Sequence, residues 1–422
     1  MIIYSQLEHK DEQLSPIKKN MNSESKKIFS TQDALKIAKQ RLPRVIFDFI
    51  EGAAGREVSA LQNLTRFDEI ILQPRVMQDV ETRSLHTTFL GQNYDLPFGI
   101  APMGMCNLAW PGADQTLARA AQEFNLPVCL SSAASSSIED MRSWAGENSW
   151  FQLYVGSSIE ASLALVDRAR NAGYETLVLT VDVPQVSRRL RDLRNGFQMP
   201  FSMTPKLFMD FATHPHWSLA TLWQGVPEPI NFKSISGHEK FDRNASRAGA
   251  DWEFLDRLRA KWKGHLIVKG VTSAEDAVLI QQAGADAIYV SNHGGRQLDS
   301  APAAIDVLPR IRQAVGADYP LIFDSGVRNG EDVVKALAMG ADFVMLGRPF
   351  MFALGAEGAR GVNALIRILG EDASLTLAQT GLADIGDVSA HMLDKCPPEL
   401  ILESLTSKQN ATKKTNGMKR NH

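Results

Sequence analysis

The run Ala283-Gly284-Ala285-Asp286-Ala287-Ile288-Tyr289-Val290 joins a helix end, a stop signal and a short apolar strand. Glycine after the last helical turn supplies the left-handed position that ends a helix. The continuous apolar run that follows suits a strand buried on both faces, as in a parallel sheet. The same arrangement recurs at Ala172-Gly173-Tyr174-Glu175, before 176–181, and at Met339-Gly340-Ala341-Asp342, before 343–346. Between such units the helices are legible. Val334, Leu337 and Ala338 share one face, Asn329 is placed to cap that helix, and Glu331 and Asp332 stand in its positively polarised first turn.

Repeated strand–helix units with short joins define an α/β chain. Eight strands are expected near 98–101, 128–131, 151–154, 177–182, 266–269, 287–291, 321–324 and 343–347. Eight units favour a single closed (β/α)8 TIM barrel, whose active site lies at the C-terminal ends of its strands. Polar residues gather at those ends: Gln152, Tyr154, Thr180, Asp182, Lys269, Ser291, His293 and Asp324. A long insertion, about 190–250, follows strand 4 and carries Phe201, Phe208, Trp217, Leu222 and Trp223. A loop of that length is a lid, an oligomer contact or a membrane-surface segment.

Composition sets the limits. The 422 residues are 44% hydrophobic and 22% charged, with a net charge of −3, a globular balance that offers no nucleic-acid surface. Cys106, Cys129 and Cys396 lack CxxC spacing, and a reduced, cytoplasmic compartment is expected. Neither a signal peptide nor a transmembrane run is read. Residues 1–27 and the basic stretch 406–422 are expected to be mobile tails around a body spanning 28–405. A basic tail also allows peripheral contact with an acidic membrane face.

After the sixth strand comes Ser291-Asn292-His293-Gly294-Gly295-Arg296-Gln297, with Asp299 nearby. The glycines let backbone pass close to a bound ligand. Arg296 offers a planar fork that matches a carboxylate, and His293 exchanges a proton near neutral pH. A base and a carboxylate clamp so spaced suit a substrate with a carboxylate beside an oxidisable carbon. Loops after strands seven and eight of such barrels often hold phosphate; here they contain Asp324-Ser325-Gly326-Val327-Arg328 and Gly347-Arg348. No GxGxxG follows a strand, so a Rossmann NAD site is unsupported. No metal site is read.

The signature Ser-Asn-His-Gly-Gly-Arg-Gln resembles that of the FMN-dependent 2-hydroxy acid oxidase and dehydrogenase family, which includes glycolate oxidase, L-lactate dehydrogenase and (S)-mandelate dehydrogenase. The likeness spans roughly 30–401 and takes in Ala101-Pro102, Phe151-Gln152-Leu153-Tyr154, Leu179-Thr180-Val181-Asp182, Val268-Lys269-Gly270, Asp324-Ser325-Gly326-Val327-Arg328 and Gly347-Arg348-Pro349. The insertion, with His214-Pro215-His216-Trp217, is most similar to the mandelate branch.

The resemblance implies oxidation of an (S)-2-hydroxy acid to the 2-oxo acid at FMN. His293 would be the base at the hydroxyl or the alpha carbon, and Asp182 would stabilise its imidazolium. Arg296 and Arg189 would bind the substrate carboxylate, and Tyr154 the reacting oxygen. Ser131, Gln152 and Thr180 would bind the flavin ring, with Pro102, Met103, Gly104 and Ser291 beside it. Lys269 would sit by the N1–C2 edge. Asp324, Ser325, Gly326, Arg328, Gly347 and Arg348 complete the implied FMN site. A quinone, a cytochrome or oxygen would reoxidise it, and the resemblance implies a homo-oligomer, a tetramer in many relatives.

Three positions depart or vary. Phe49 stands where the family usually has Tyr, Ala133 where glycolate oxidases carry Trp, and Ser325 where a second Gly is commoner. The first two predict a roomier, less polar pocket and a larger acid than glycolate. Gly104 resembles the dehydrogenases rather than the oxidases. Phe49 also keeps open the alternative of an FMN-binding barrel with altered or lost chemistry, acting as a binding or sensor protein.

Overall fold

The computed structural model describes residues 25–156, 158–232 and 247–400. Among these residues ten strands are found. The first two, β1 (Thr87–Phe89) and β2 (Gln92–Tyr94), form a hairpin. Its turn residues Leu90 and Gly91 have φ of 48° and 77°, the doubly left-handed turn whose twist matches that of a hairpin. The other eight are β3 (Phe98–Met103), β4 (Val128–Ser131), β5 (Ser149–Leu153), β6 (Thr176–Thr180), β7 (His265–Val271), β8 (Ala287–Val290), β9 (Leu321–Phe323) and β10 (Phe343–Leu346). They pair in parallel around a closed barrel, with β10 returning to β3.

The helix-ending glycines behave as the sequence predicts: Gly173, Gly284 and Gly340 have φ of 88°, 81° and 108°. Asn329 caps its helix by accepting the Asp332 amide, and Val334, Leu337 and Ala338 are buried beneath it. All eight barrel strands lie where expected. Five of them stop one or two residues earlier than read, so Tyr154, Asp182, Ser291, Asp324 and Gly347 sit just beyond the strand ends, where the chain turns over the barrel mouth, whereas Phe98–Met103 and His265–Val271 run two residues further than read.

Alternation along the strands divides the core in two. Leu177 and Leu179 face the helices and Val178 faces the barrel axis. The axial set includes Cys129, Trp150, Val178, Ile267, Tyr289, Ile322 and Phe343, joined by Phe89 and Tyr94 of the hairpin. Phe89 packs 5.2 Å from the Phe343 ring and 6.2 Å from Trp150, while Tyr94 lies 5.5 Å from Phe343. The hairpin therefore closes the lower end of the barrel with aromatic rings.

The insertion after β6 holds helices Leu190–Asn195, Pro205–Ala212 and Pro215–Gln224. Thr204 caps the second by accepting the Leu207 amide, with Pro205 at its first position. Trp217 is buried and donates its indole N–H to the Leu108 carbonyl at 2.7 Å. Part of the insertion is thus packed on its own barrel. Its other face is apolar and open: Phe208, Leu222 and Trp223 are 60%, 77% and 94% exposed. Among the described residues no helix is long and apolar enough to cross a membrane. Cys106, Cys129 and Cys396 are free thiols. The tail readings for 1–27 and 406–422 fall outside the described residues, apart from Ser25 to Lys27, where the Ser25 hydroxyl accepts the Lys27 and Ile28 amides. The insertion's residues 233–246 and the last five of the body, 401–405, also lie outside them.

Candidate active site

The same alternation that buries Trp150 and Val178 lifts Gln152 and Thr180 to the next inward level. There Ser131 Oγ donates to Gln152 Oε1 at 2.8 Å, and Gln152 Nε2 donates to Thr180 Oγ1 at 2.9 Å. Lys269 extends this polar floor: its ammonium donates to Ser291 Oγ at 2.8 Å and pairs with Asp324 at 3.2 Å. All six side chains are buried, and each finds a partner, as buried polar groups must. Above them opens a cavity of about 590 Å³, within the range of small-ligand sites. Ala101, Pro102, Met103, Gly104, Ala133, Tyr154, Lys269, His293 and Arg296 line it. Arg189, read as a second carboxylate-binding cation, lines the same cavity from the N-terminal end of helix Leu190–Asn195.

His293 begins a short turn after β8 with φ of 58°, and Gly294 and Gly295 follow at 63° and 73°. Three successive left-handed residues swing the imidazole over the mouth. A side chain at Gly295 would strike the backbone of Ala60 at 2.4 Å. Asn292 locks the turn by accepting the Gly295 amide and bonding to Asn63, Ser59 and the Pro302 carbonyl. His293 Nδ1 lies 3.1 Å from Asp182 Oδ1, and Nε2 lies 3.3 Å from the Tyr154 hydroxyl. Burial pushes the imidazole below its ordinary value near 6.5, against the opposing pull of Asp182. Burial also pushes Asp182 up, but the charge and hydrogen bond of His293, with Lys269, hold it below the usual carboxylate range. Near neutral pH the ring is neutral, Nδ1–H donates to Asp182, and the Nε2 lone pair faces Tyr154 and the cavity. Burial raises the Tyr154 phenol far above its ordinary value, so it stays protonated.

Arg296 reaches across to the helix Arg44–Glu51. Its guanidinium donates to the carbonyls of Phe49 at 3.0 Å, Ile50 at 3.2 Å and Gly52 at 2.6 Å. A cation on the last carbonyls of a helix meets the negative end of its dipole. The guanidinium also stands 5.6 Å from the Phe49 ring, which stacks on Phe197 of the insertion at 4.4 Å and 8°. The position usually filled by Tyr is therefore an apolar wall shared by the barrel and the insertion. Arg191 clamps the two together through Glu51 and Glu57.

A cationic corner is built from the β9 and β10 loops. Arg328 and Arg348 are half-buried beside each other; desolvation lowers Arg328 to about 10, while desolvation with the charges of Arg328 and Arg189 lowers Arg348 to about 9. Crowded, partly desolvated cations favour an anion at this corner. The helix Arg348–Glu357 begins here, adding its N-terminal amides. Arg348 also donates to the carbonyls of Ile50, Gly52 and Gly294, so it bridges the corner to the His293 turn. Ser325 keeps a left-handed φ of 90° where glycine would be easier, followed by Gly326 at 104°. Its hydroxyl accepts the Gly294 amide at 3.0 Å and donates to Asp324 at 2.9 Å.

Some supporting residues were not assigned from the sequence. Gly270, with φ of 103°, is required because a Cβ there would lie 2.5 Å from Asp182 Cγ. Ser132 accepts the Tyr154 amide at 3.1 Å. Ala133 sits against Gly104, where an added Cβ would meet it at 3.2 Å. Asp299, noted beside the signature, does not join the acid–base pair; it accepts the Arg56 and Val58 amides at 2.8 Å and caps the helix Val58–Glu69 from a distance.

A half-buried histidine–carboxylate pair, a phenol and a cation-lined corner at the mouth of a parallel barrel form one constellation. It fits the family match: residues 38–395 match the model of FMN-dependent dehydrogenases. The chain belongs to that family and is an FMN-dependent oxidoreductase of the 2-hydroxy acid class. Among its relatives, (S)-mandelate dehydrogenase of Pseudomonas putida is 40% identical over 374 residues, 87% of this chain and 94% of that one. L-lactate dehydrogenase of Pseudomonas syringae pv. syringae is 35% identical over 376 residues, 87% of this chain and 99% of that one. The crystal structure of the monotopic membrane protein (S)-mandelate dehydrogenase superposes with a TM-score of 0.82 and 38% identity, covering 88% of this chain and 100% of that one.

Proposed function

We propose that the chain oxidises a lactate- or mandelate-like (S)-2-hydroxy acid to the 2-oxo acid, with His293 as base and Arg296 as carboxylate clamp. The observation that carries this reading is the His293 imidazole. It is kept neutral by burial, oriented by Asp182 at 3.1 Å and faced by the Tyr154 hydroxyl at 3.3 Å, at the rim of a cavity that Arg296 and Arg189 also line. Bound FMN supplies the two-electron acceptor. Arg328, Arg348 and the loop amides around Gly326 would hold its phosphate; Ser131, Gln152, Thr180 and Lys269 would line its ring. Arg296 and Arg189 orient the substrate carboxylate, so the hydroxyl lies between Tyr154 and His293 Nε2. Nε2 takes the proton, and Asp182 stabilises the resulting imidazolium. The intact pair argues against a barrel reduced to a sensor. Adding (S)-lactate or (S)-mandelate to the yellow protein without oxygen should bleach it; a spectrum unmoved by any 2-hydroxy acid would sink the reading.

The pH dependence has a definite sign. Because burial lowers the His293 pKa, kcat/KM should rise with pH to a plateau through a midpoint below 6.5. Asp182 opposes that shift by favouring the cation. In Asp182→Asn the midpoint should therefore move further down. The plateau should fall about 100- to 10,000-fold, since the amide no longer fixes the tautomer or stabilises the imidazolium. A midpoint that moves up instead would contradict this electrostatic arrangement.

The open apolar face of the insertion supports a second element of the proposal: the protein docks on a membrane surface through Phe208, Leu222 and Trp223. Wild-type protein should sediment with phospholipid vesicles, and Leu222→Glu with Trp223→Glu should return it to the supernatant with its flavin retained. Wild-type protein that stays in the supernatant would end this part of the proposal.

A further inference from the structure

Among the arginines that line the cavity, Arg247 belongs to neither the carboxylate clamp nor the corner of Arg328 and Arg348. Arg247 ends the insertion, and its amide donates to the Pro184 carbonyl at 2.9 Å. That bond fixes it to the loop leaving β6, close after Asp182. Its guanidinium carbon stands 5.3 Å from the centre of the Tyr154 ring, and the residue lines the same cavity as His293 and Arg296. The group makes further contacts of its own; what matters is where its charge stands. Its charge, with those of Arg189 and Arg296, acts on the Tyr154 phenol. One carboxylate is matched by one or two guanidinium forks. Asp192 and Asp324 are the acidic residues that line the cavity; Asp324 is engaged with Lys269, and Asp182 with His293. The mouth thus joins an apolar wall at Phe49 and Phe197 to a cationic corner at Arg247.

We infer that Arg247 is a specificity-determining residue that receives a second carboxylate, so that the enzyme accepts short 2-hydroxy dicarboxylic acids. The inference rests on the reading of His293 and Arg296 given above and deepens it. A second carboxylate gains a charge-assisted bond at Arg247 that lactate cannot make, while in its absence the Phe49–Phe197 wall still packs an alkyl or aryl side chain.

The test compares wild-type holoenzyme with Arg247→Met, using (S)-malate and (S)-2-hydroxyglutarate against (S)-lactate and (S)-mandelate. Flavin content and thermal midpoint establish that the variant is folded, and Arg247→Lys retains the charge without the fork. Wild type should reduce its flavin with at least one dicarboxylate. Arg247→Met should lower kcat/KM for that acid roughly 10- to 100-fold, while lactate and mandelate change less than about 3-fold. Arg247→Lys should recover part of the loss. An equal loss for all four acids would make Arg247 a structural or clamp residue and overturn the inference. So would wild-type flavin that lactate or mandelate bleaches and neither dicarboxylate does. Failure of all four acids would instead defeat the underlying hydroxy-acid reading, and this inference with it.

Discussion

His293→Gln should retain bound FMN and a near-normal thermal midpoint yet lose about 100- to 10,000-fold in the rate of flavin reduction. Glutamine can reach Asp182 and Tyr154 but cannot accept a proton at the position of Nε2. The phosphate corner and the polar floor lie on other strands and loops, so the yellow colour should survive. The turn itself is held by Asn292 and by the Gly294 amide on Ser325, not by the imidazole. Stopped-flow mixing with (S)-mandelate without oxygen would measure the effect directly. Reduction at the wild-type rate would remove His293 from the chemistry, and colourless protein would show that it holds the cofactor instead.

The second large effect is expected at Arg296. Lysine there keeps one positive charge but loses the planar fork. Each charge-assisted bond to a carboxylate is worth about 1.5–3 kcal/mol. Losing the bidentate geometry should raise KM for (S)-mandelate roughly 10- to 100-fold, with a smaller fall in kcat. Arg296→Met should go further and also lower the thermal midpoint, because the Phe49 carbonyl loses this donor and those of Ile50 and Gly52 keep only Arg348. Steady-state kinetics with flavin content as a control separates the two effects. An unchanged KM in both variants would rule out a contact with substrate.

The barrel was legible because its strands are short continuous apolar runs set off by helix-ending glycines such as Gly284 and Gly340. That signal survives without neighbours. The signature around His293 was equally plain, since its glycines have no other use in a strand-to-helix join. What escaped the sequence was long-range. Phe49 stood out only against the family pattern, and its stacking on Phe197 and its contact with Arg296 were not readable. Gly270 looks like an ordinary loop glycine, and only the fold shows that Asp182 fills the place of its missing side chain. The β1–β2 hairpin is too short for periodicity to register, with three residues in each strand. The strands before Asp182 and Asp324 were read too long because these residues follow strand-like residues directly. Their polarity marks the site but not the point at which pairing stops.

The aromatic stopper formed by Phe89, Tyr94, Trp150 and Phe343 has a kinetic corollary. With the floor of the barrel sealed, incoming fuel, outgoing product and any small electron carrier share one doorway. Oxidation of the hydroxy acid and discharge of the stored electrons are then best served by taking turns: keto acid leaves before the carrier enters. Double-reciprocal plots at several carrier concentrations should run parallel, and each partner in excess should inhibit by occupying the threshold meant for the other.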